Sequence, residues 1–433
     1  MVRTLRRPVN IFFSLHSGDS MLETLLKALA ARTDRALELQ TGLTSFPAFG
    51  PDNGGPGEWD KAAWLEARLL AWGVTHIERV DADDARVPSG KRPNMIVRVP
   101  GASSRTLWVL GHLDVVPPGD ASLWRSDPWV VTRDPENPDI IRGRGVEDNQ
   151  QALVAGALVA AELTERGITP DLGFGLIAVA DEETGNRYGA EHVLKELPDL
   201  IAPDDLVLVP DFGTADGTLI EVAEKGTLWL RVTVTGVQCH ASTPDEGKNA
   251  LIAASSMILR VHEVEERFNA RDPLFTPPRS TMVPTRHDVN VPNVNTIPGK
   301  DVFFIDCRVL PAYSVDEVLD AFRSLAAESA ARYGVAVDVE VVSREPAAPP
   351  TPVDSEVVTR LKDGIRRIYG LECRAGGIGG GTVARLLRRR GIPAAVWSRV
   401  LDNAHVPNEA ARLSNAVNDA RVYSTLLFTS QAL

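Results

Sequence analysis

His112 and Asp114 follow a short apolar run, Leu107–Leu110, in the stretch Trp108–Pro117, which reads WVLGHLDVVP. In an extended segment, side chains two residues apart point to the same side. A neutral imidazole is a common metal ligand, and a nearby carboxylate can accept its second N–H and fix the tautomer. Taken alone, the pair is equally typical of a strand end that carries a hydrogen-bonded histidine. The rest of the chain must decide between these two interpretations.

Carboxylates follow two further apolar runs in the same way. Leu172–Ala180 ends in Asp181-Glu182-Glu183, and Leu206–Val209 ends in Pro210-Asp211. Consecutive carboxylates at the end of a buried strand are unfavourable unless water or a cation neutralises them. The repetition of this pattern therefore indicates a divalent metal site rather than ordinary turn chemistry.

Asp148 and His405 extend the set. Asp148 precedes a helix predicted over Asn149–Arg166, where a carboxylate could also serve as a plain N-cap. His405, in the stretch Asp402–Glu409, supplies a second imidazole from the C-terminal part of the chain. Mixed imidazole and carboxylate ligation suits zinc, cobalt or manganese better than calcium or an iron–sulfur cluster.

The elements that must position these residues are buried strands alternating with helices. Short apolar runs bounded by turn residues predict central strands of a parallel sheet. In such sheets, ligands gather beyond the carboxyl ends of the strands. We therefore predict an α/β catalytic domain with a doubly wound, mostly parallel sheet that brings these side chains to one crevice.

The pattern changes after Lys225. Thr227–Thr235 alternates as a half-exposed antiparallel strand, and a helix is predicted over Asn249–Phe268. The remaining elements predicted before the proline-rich linker Glu345–Pro352 are the strand Asp301–Val309, the helix Val315–Tyr333 and the strand Val335–Val342. This order predicts a small α+β domain inserted into the first. The predicted domains are residues 1–224 and 345–433 for the catalytic domain, with 1–20 as a loose extension, and 225–344 for the insertion.

Composition limits the classes of partner. The net charge of −12 argues against nucleic acid or an anionic membrane as a partner. The three cysteines form no CxxC pair, which fits a reducing cytoplasm, and no apolar run is long enough to cross a membrane. The glycine-rich stretch Gly376–Thr382 lacks the ending of a phosphate-binding loop, and no serine-nucleophile motif occurs.

The motifs GHLDVVP, GRGVED, DEETG and HVPNE, in this order, resemble those of a known family. It is the co-catalytic dizinc peptidase family of aminoacylase-1, carboxypeptidase G, acetylornithine deacetylase and succinyl-diaminopimelate desuccinylase. The resemblance covers nearly the whole chain from about residue 21 and is greatest to the desuccinylase and deacetylase branch. It implies two divalent ions, most readily zinc, and an inserted lid domain through which the protein forms a homodimer.

The resemblance also implies a role for each motif residue. His112 and Asp211 would bind one ion, Glu183 and His405 the other, and Asp148 would bridge both. Asp114 would support His112. Glu182 would act as general base toward water bound to the two ions, and would pass the proton to the leaving amine.

Other implied residues lie in or after the lid. His240 would stabilise the tetrahedral oxyanion from the partner subunit. The implied contacts to the substrate are Asn295, Arg308, Arg385, Gly381 and Thr382. Taken alone, His240 and each arginine are better explained as surface residues. Gln150, where relatives often have lysine, and Asp211, where several have glutamate, leave the exact substrate open.

We therefore expect a metal-dependent amidohydrolase that cleaves the amide bond of an N-acyl amino acid and acts on a small molecule in the cytoplasm. A metallo-dipeptidase or carboxypeptidase of the same family is the alternative within the class. The alternative of a different class is a catalytically silent protein that binds amino-acid derivatives, and the presence of Glu182 with all the implied ligands argues against it.

Overall fold

The computed structural model describes residues 17–429. Of the extension predicted for residues 1–20, only 17–20 belong to the described part, and they form the start of the first helix. The rest of that extension lies outside the described residues.

The described helices and strands are bounded as follows. The helices are α1 Ser17–Ala30, α2 Thr33–Thr44, α3 Trp59–Ala71, α4 Gln150–Arg166, α5 Ala190–Glu196, α6 Ala250–Leu259, α7 Val261–Arg267, α8 Val315–Tyr333, α9 Glu356–Tyr369, α10 Ala384–Arg389 and α11 Leu413–Leu426. The strands are β1 Ile77–Arg79, β2 Ala82–Asp83, β3 Lys91–Arg92, β4 Met95–Val99, β5 Thr106–His112, β6 Thr132–Arg133, β7 Ile140–Arg142, β8 Gly173–Val179, β9 Leu206–Val209, β10 Leu219–Glu224, β11 Gly226–Thr235, β12 Cys239–His240, β13 Thr281–His287, β14 Thr296–Ile297, β15 Lys300–Val309, β16 Ala336–Glu345, β17 Arg374–Ile378, β18 Ala394–Val396 and β19 Ala410–Arg412.

The chain divides into two compact units. Among the described residues, the first comprises 17–220, Pro352–Arg374 and 392–429. The second comprises Glu221–Thr351 and Ala375–Gly391, so the glycine-rich stretch groups with the inserted part of the chain. Strands β10 and β17 pair with each other and lie mostly in the second unit.

The first unit is built on a sheet in the order β1-β4-β8-β5-β9-β18. Strands β8, β5, β9 and β18 are parallel, and β1 and β4 are antiparallel at one edge. The parallel strands β8 and β9 are buried at every residue, as continuous apolar runs predict. Helix α4, rich in alanine and leucine, is buried from Gln150 to Leu163 and ends at Gly167, whose φ of 61° suits glycine.

The sheet order places the sequence motifs next to one another. His112 ends β5, and in the register it is opposite Val179, the last residue of β8. Val209, the last residue of β9, is opposite Val396 of β18. The residues that follow these four strands therefore emerge at the same edge of the sheet.

The second unit contains a four-stranded antiparallel sheet in the order β13-β15-β11-β16. Its core lies between one face of this sheet and helices α6, α7 and α8. Along β11, buried residues alternate with more exposed ones, as the sequence predicts. Helix α8 begins with a capping box of Ser314 and Glu317. The predicted fold class, α/β with a mostly parallel sheet and an inserted α+β domain, is confirmed.

Candidate metal centre

Asp148 lies at the centre of the candidate site, between two imidazoles. Its Oδ1 is 3.0 Å from Nε2 of His112, and its Oδ2 is 3.1 Å from Nε2 of His405. The N-cap position of α4 is occupied by Asn149, and its side chain makes no capping hydrogen bond. Asp148 lies one residue further from the helix and is therefore not its N-cap. Its carboxylate instead presents one oxygen to each imidazole.

Two further carboxylates complete the arrangement. Oδ1 of Asp211 is 3.3 Å from Nε2 of His112, and both carboxylate oxygens of Glu183 are 3.1 Å from Nε2 of His405. The potential ligand atoms of His112, Asp148 and Glu183 all lie within 4.8 Å of one another. The side chains thus form two groups that share Asp148.

Asp114 contacts both the imidazole of His112 and the turn that carries Glu182 and Glu183. Its carboxylate oxygens accept hydrogen bonds from the backbone N–H groups of Glu182 (3.0 Å) and Glu183 (2.9 Å). Nδ1 of His112 lies 2.9 Å from the backbone oxygen of Asp114 and 3.5 Å from its carboxylate. Asp114 therefore orients the turn that carries both glutamates, and its backbone fixes the imidazole.

Glu182 is held at one carboxylate oxygen. The side-chain amide of Asn186 donates to Oε1 of Glu182 over 3.3 Å. Burial raises the pKa of Glu182 well above its usual value, and the carboxylate of Asp211 adds to the effect. The second carboxylate oxygen of Glu182, Oε2, takes no part in the hydrogen bond from Asn186.

The charges at the site call for a cation. Burial opposes protonation of His112, but hydrogen bonds to Asp114, Asp148 and Asp211 hold its pKa well above its ordinary value. Hydrogen bonds to Asp148 and Glu183 raise the pKa of His405 to about 10. Protons here supply the positive charge that the carboxylates require, and divalent ions would supply the same charge. The residues present therefore fit bound divalent metal ions.

The sequence did not reveal several residues around the ligands. Asn149 accepts the backbone N–H of His112 and donates to the backbone oxygen of Pro210, so it ties two strand ends together. Glu147 and Glu409 are buried beside the site and belong to the motifs GRGVED and HVPNE, which predict no role for either residue. Their proximity to the ligands along the chain was the only available signal.

The other predicted site residues lie in the second unit. His240 is exposed, and its Nδ1 accepts the backbone N–H of Ser242 at 3.1 Å. Arg308 makes a two-pronged ion pair with Asp306 at 2.8 and 3.0 Å and donates to the backbone oxygen of Gly379. It also donates to the hydroxyl of Thr227 at 3.3 Å, so four of the five N–H groups of this guanidinium are already engaged.

The remaining residues predicted to contact the substrate also lie in the second unit. The buried Thr382 donates its hydroxyl and backbone N–H to the carboxylate of Glu224. The guanidinium of Arg385 lies so close to Gly381 that a Cβ there would be 2.6 Å from Nη1. Asn295 is exposed and accepts the backbone N–H of Ala241. The roles of these residues toward a substrate stay predictions.

Comparison with known proteins identifies relatives along most of the chain. Residues 108–429 match the model of the peptidase family M20/M25/M40. An uncharacterized metallohydrolase of Methanococcus maripaludis is 34% identical over 419 residues, which cover 91% of this chain and 99% of the relative. A succinyl-diaminopimelate desuccinylase of Sulfurovum sp. is 23% identical over 377 residues, 86% of this chain and 93% of that enzyme.

A solved structure agrees with the fold. The crystal structure of human carnosine dipeptidase 1 superposes with a TM-score of 0.71 at 16% identity, over 94% of this chain and 98% of that one. No helix among residues 17–429 is long and apolar enough to span a membrane. The family predicted from the sequence motifs is confirmed. The chain belongs to the M20/M25/M40 peptidase family and is a metallohydrolase that acts on amide or peptide bonds.

Proposed function

We propose that this protein is an amidohydrolase that removes the acyl group from an N-acyl amino acid and uses two divalent ions. The observation that carries the proposal is the pair of ligand groups that share Asp148, with Glu182 beside them. His112 and Asp211 would hold one ion, and Glu183 and His405 the other. Zinc is the metal we expect, with cobalt or manganese as substitutes.

The residues around the ions divide the chemistry between them. When bound, two such ions polarise a carbonyl and lower the pKa of water. Glu182 takes a proton from the attacking water at its free carboxylate oxygen and delivers it to the leaving nitrogen. Asp114, through the backbone N–H groups of Glu182 and Glu183, keeps the general base aligned with the neighbouring ligand.

The acyl substrate is favoured by the relatives. The desuccinylase of Sulfurovum sp. supports an N-acyl amino acid, whereas human carnosine dipeptidase 1 supports the alternative, a metallo-dipeptidase. Arg308 can offer a substrate carboxylate only the one N–H group that Asp306, Gly379 and Thr227 leave free. Because Thr382 already donates its backbone N–H and hydroxyl to Glu224, Arg385 and the backbone of Gly381 would then be needed to complete the recognition of the carboxylate.

We also propose a homodimer formed through the second unit. In this arrangement the exposed His240 of one subunit would serve the catalytic site of the other, as the family resemblance implies. Light scattering of the active protein should give the mass of two chains, and a fully active monomer would contradict the proposal.

Three cysteines without disulfide bonds, Cys239, Cys307 and Cys373, support a cytoplasmic location.

Amine release from a panel of substrates tests the proposed reaction. The metal-stripped protein is assayed with zinc, cobalt or manganese added back, on N-succinyl-diaminopimelate, N-acetylornithine, several N-acetyl amino acids and simple dipeptides. We expect metal-dependent hydrolysis of an N-acyl amino acid. Cleavage of dipeptides alone would favour the alternative, and failure of the protein to bind metal would overturn both.

A further inference from the structure

Two loops of the first unit hold each other through a reciprocal pair of buried carboxylates. The loop 143–149 carries Asp148 and Glu147, and the loop 401–409 carries His405 and Glu409. Each glutamate accepts backbone N–H groups from the opposite loop. We call this arrangement the carboxylate clasp.

Glu409 forms one half of the clasp. Its Oε1 accepts the backbone N–H groups of Glu147 at 2.9 Å and Asp148 at 3.1 Å. Its Oε2 accepts the backbone N–H of Gly145 at 2.9 Å and the guanidinium of Arg144 at 2.8 Å. Glu409 is completely buried, so these donors replace water around its charge. The backbone at Asp148 is therefore fixed by a residue from the other loop.

Glu147 forms the other half. Its Oε1 accepts the backbone N–H of Asn403 at 2.8 Å, and its Oε2 accepts the backbone N–H of Leu401. Glu147 is only 5% exposed. The segment that leads directly to His405 is therefore held by the residue that precedes Asp148.

Backbone pairing joins the two loops at one end, where the loop 143–149 begins and the loop 401–409 ends. Strand β19 pairs with β7, so that Ala410 is opposite Arg142, and the backbone N–H of Gly143 donates to the backbone oxygen of Glu409 at 3.1 Å. The side-chain amide of Asn403 spans its own loop by bonding the backbone N–H and oxygen of Ala410. The clasp thus joins two loops that are already tied at one end.

We propose that Glu147 and Glu409 are positioning residues that fix Asp148 and His405 relative to each other before metal binds. The inference rests on the proposed two-ion function. Because Glu147 holds only the loop of His405, its loss should affect the ion bound by Glu183 and His405. Because Glu409 holds the backbone of Asp148, which is shared, its loss should affect both ions.

Stepwise metal binding tests this difference. The variants are Glu147→Ala and Glu409→Ala, with Glu147→Gln and Glu409→Gln as milder forms that keep one acceptor oxygen and the side-chain volume. Zinc and cobalt affinities are measured by competition with a chelator, together with the absorption spectrum of bound cobalt. Glu162→Gln is the matched control, because Glu162 is also a buried carboxylate but pairs with Arg32 and Arg166 away from both loops.

We expect Glu147→Ala to weaken one of the two binding steps by about 10–100-fold and to leave the other unchanged. Glu409→Ala should weaken both steps, and each glutamine variant should fall between alanine and wild type. The control should bind both ions as the wild type does. Wild-type affinities in both alanine variants, or equal weakening of both steps in Glu147→Ala, would overturn the inference.

Hydrogen exchange of the metal-free wild type provides a second measurement that needs no variant to fold. The backbone N–H groups of Gly145, Glu147, Asp148, Leu401 and Asn403 should exchange slowly before any metal is added. Rapid exchange that slows only on metal binding would overturn the inference. A wild type that binds fewer than two ions would instead overturn the proposed function, so the two failures are distinguishable.

Discussion

Glu182 and Glu183 are neighbours in sequence, yet their surroundings prepare them for different tasks. Glu183 lies against His405, with both carboxylate oxygens 3.1 Å from the imidazole. Glu182 contacts Asn186 through one oxygen and keeps the other outside that hydrogen bond. Adjacent carboxylates in a tight turn thus become one candidate ligand and one candidate base.

Removal of the candidate base should separate chemistry from metal binding. Glu182→Ala should retain both metal ions and lose turnover by at least about a hundredfold, on the scale of general-base catalysis. Metal content and kcat of the purified variant are the measurements. The control is Glu191→Ala, because Glu191 is an exposed carboxylate on the nearby α5. Near-wild-type turnover in Glu182→Ala would refute the assignment.

Lys61 is a second unusual residue of the first unit. It is 1% exposed in α3, and its Nζ has no hydrogen-bond partner within residues 17–429. Burial lowers the pKa of Lys61 from 10.5 to about 8, although the carboxylates of Asp114, Glu58 and Glu409 act in the opposite direction. The folded state therefore carries a cost for keeping this side chain charged at neutral pH.

Lys61→Met should remove that cost in a pH-dependent way. The unfolded lysine binds more protons than the folded one between pH 8 and 10.5, so wild-type stability rises over that range. The variant should gain about 3 kcal/mol in the free energy of unfolding at pH 7, and the gain should shrink toward pH 10. Urea unfolding at several pH values measures it, with the exposed Lys195→Met as control. A gain that is the same at every pH would contradict the explanation.

Among single residues, the candidate metal ligands could be predicted from the sequence. The residues that hydrogen-bond backbone groups of distant segments could not. His112, Asp148 and His405 stand in motifs, and the structure brings them together. Glu409 and Asn149 act on N–H groups and carbonyl oxygens of distant segments, which carry no signature in the sequence. Prediction of such contacts requires the fold.

A glycine at a close approach lies inside a strand that the sequence predicts to be shorter. The apolar run Leu107–Leu110 stops before Gly111, but β5 continues through Gly111 to His112. A Cβ at this position would lie 2.6 Å from the side-chain oxygen of Asn149. The glycine is present because another chain segment passes close by, and not because the strand turns.

Among the elements, the apolar strands and the long helices were the most predictable. The predicted helix Val315–Tyr333 agrees with α8 at both ends, because a capping box and a glycine mark them. The single helix predicted over Asn249–Phe268 is instead two helices, α6 and α7, with Arg260 between them. No proline or glycine marks that break in the sequence.

One strand was missed because of a proline. No strand is predicted between the helix Asn249–Phe268 and the strand Asp301–Val309, but Thr281–His287 forms β13 at the edge of the second unit's sheet. Pro284 is tolerated there because an edge strand leaves some of its N–H groups without a sheet partner. The pairing with β15 is irregular between Pro284 and Arg286.

The packing of β8 against β5 leads to a prediction about two glycines of one strand. Gly175 is opposite Trp108, and a Cβ there would lie 2.1 Å from the indole ring, which Asp205 holds by a hydrogen bond. Gly175→Ala should therefore lower the free energy of unfolding by about 1–3 kcal/mol. At Gly173, a Cβ would be 3.3 Å from the nearest atom, so Gly173→Ala should cost clearly less. Thermal and urea unfolding of both variants checks this, and equal losses would contradict it.

For the whole molecule, the core and the metal centre are separate sources of stability. The strands β8 and β9 and most of α4 are fully buried without involving the candidate ligands His112, Asp211 or His405. The fold of the first unit should therefore persist without metal. Bound ions should add to that stability because they favour the folded state over the unfolded one.

Chelation should thus abolish activity and lower the melting temperature while far-UV circular dichroism at 25 °C stays unchanged. At a free zinc concentration 100 times its Kd, each ion should restore about 2.7 kcal/mol. Magnesium at the same concentration is the control, because it prefers sites made of oxygen ligands alone. A melting temperature that zinc does not raise would contradict the prediction, as would loss of helix on chelation.

The position of β18 has a consequence for synthesis on the ribosome. Strand β9 lies between β5, made early, and β18, made only after the whole inserted unit has emerged. Until then the growing chain carries an open strand edge and four of the candidate ligands without His405. Exposed strand edges invite pairing with other chains. Translation that stops before residue 394 should therefore release products that aggregate and cannot complete the site, which makes protection of the nascent chain part of producing this enzyme.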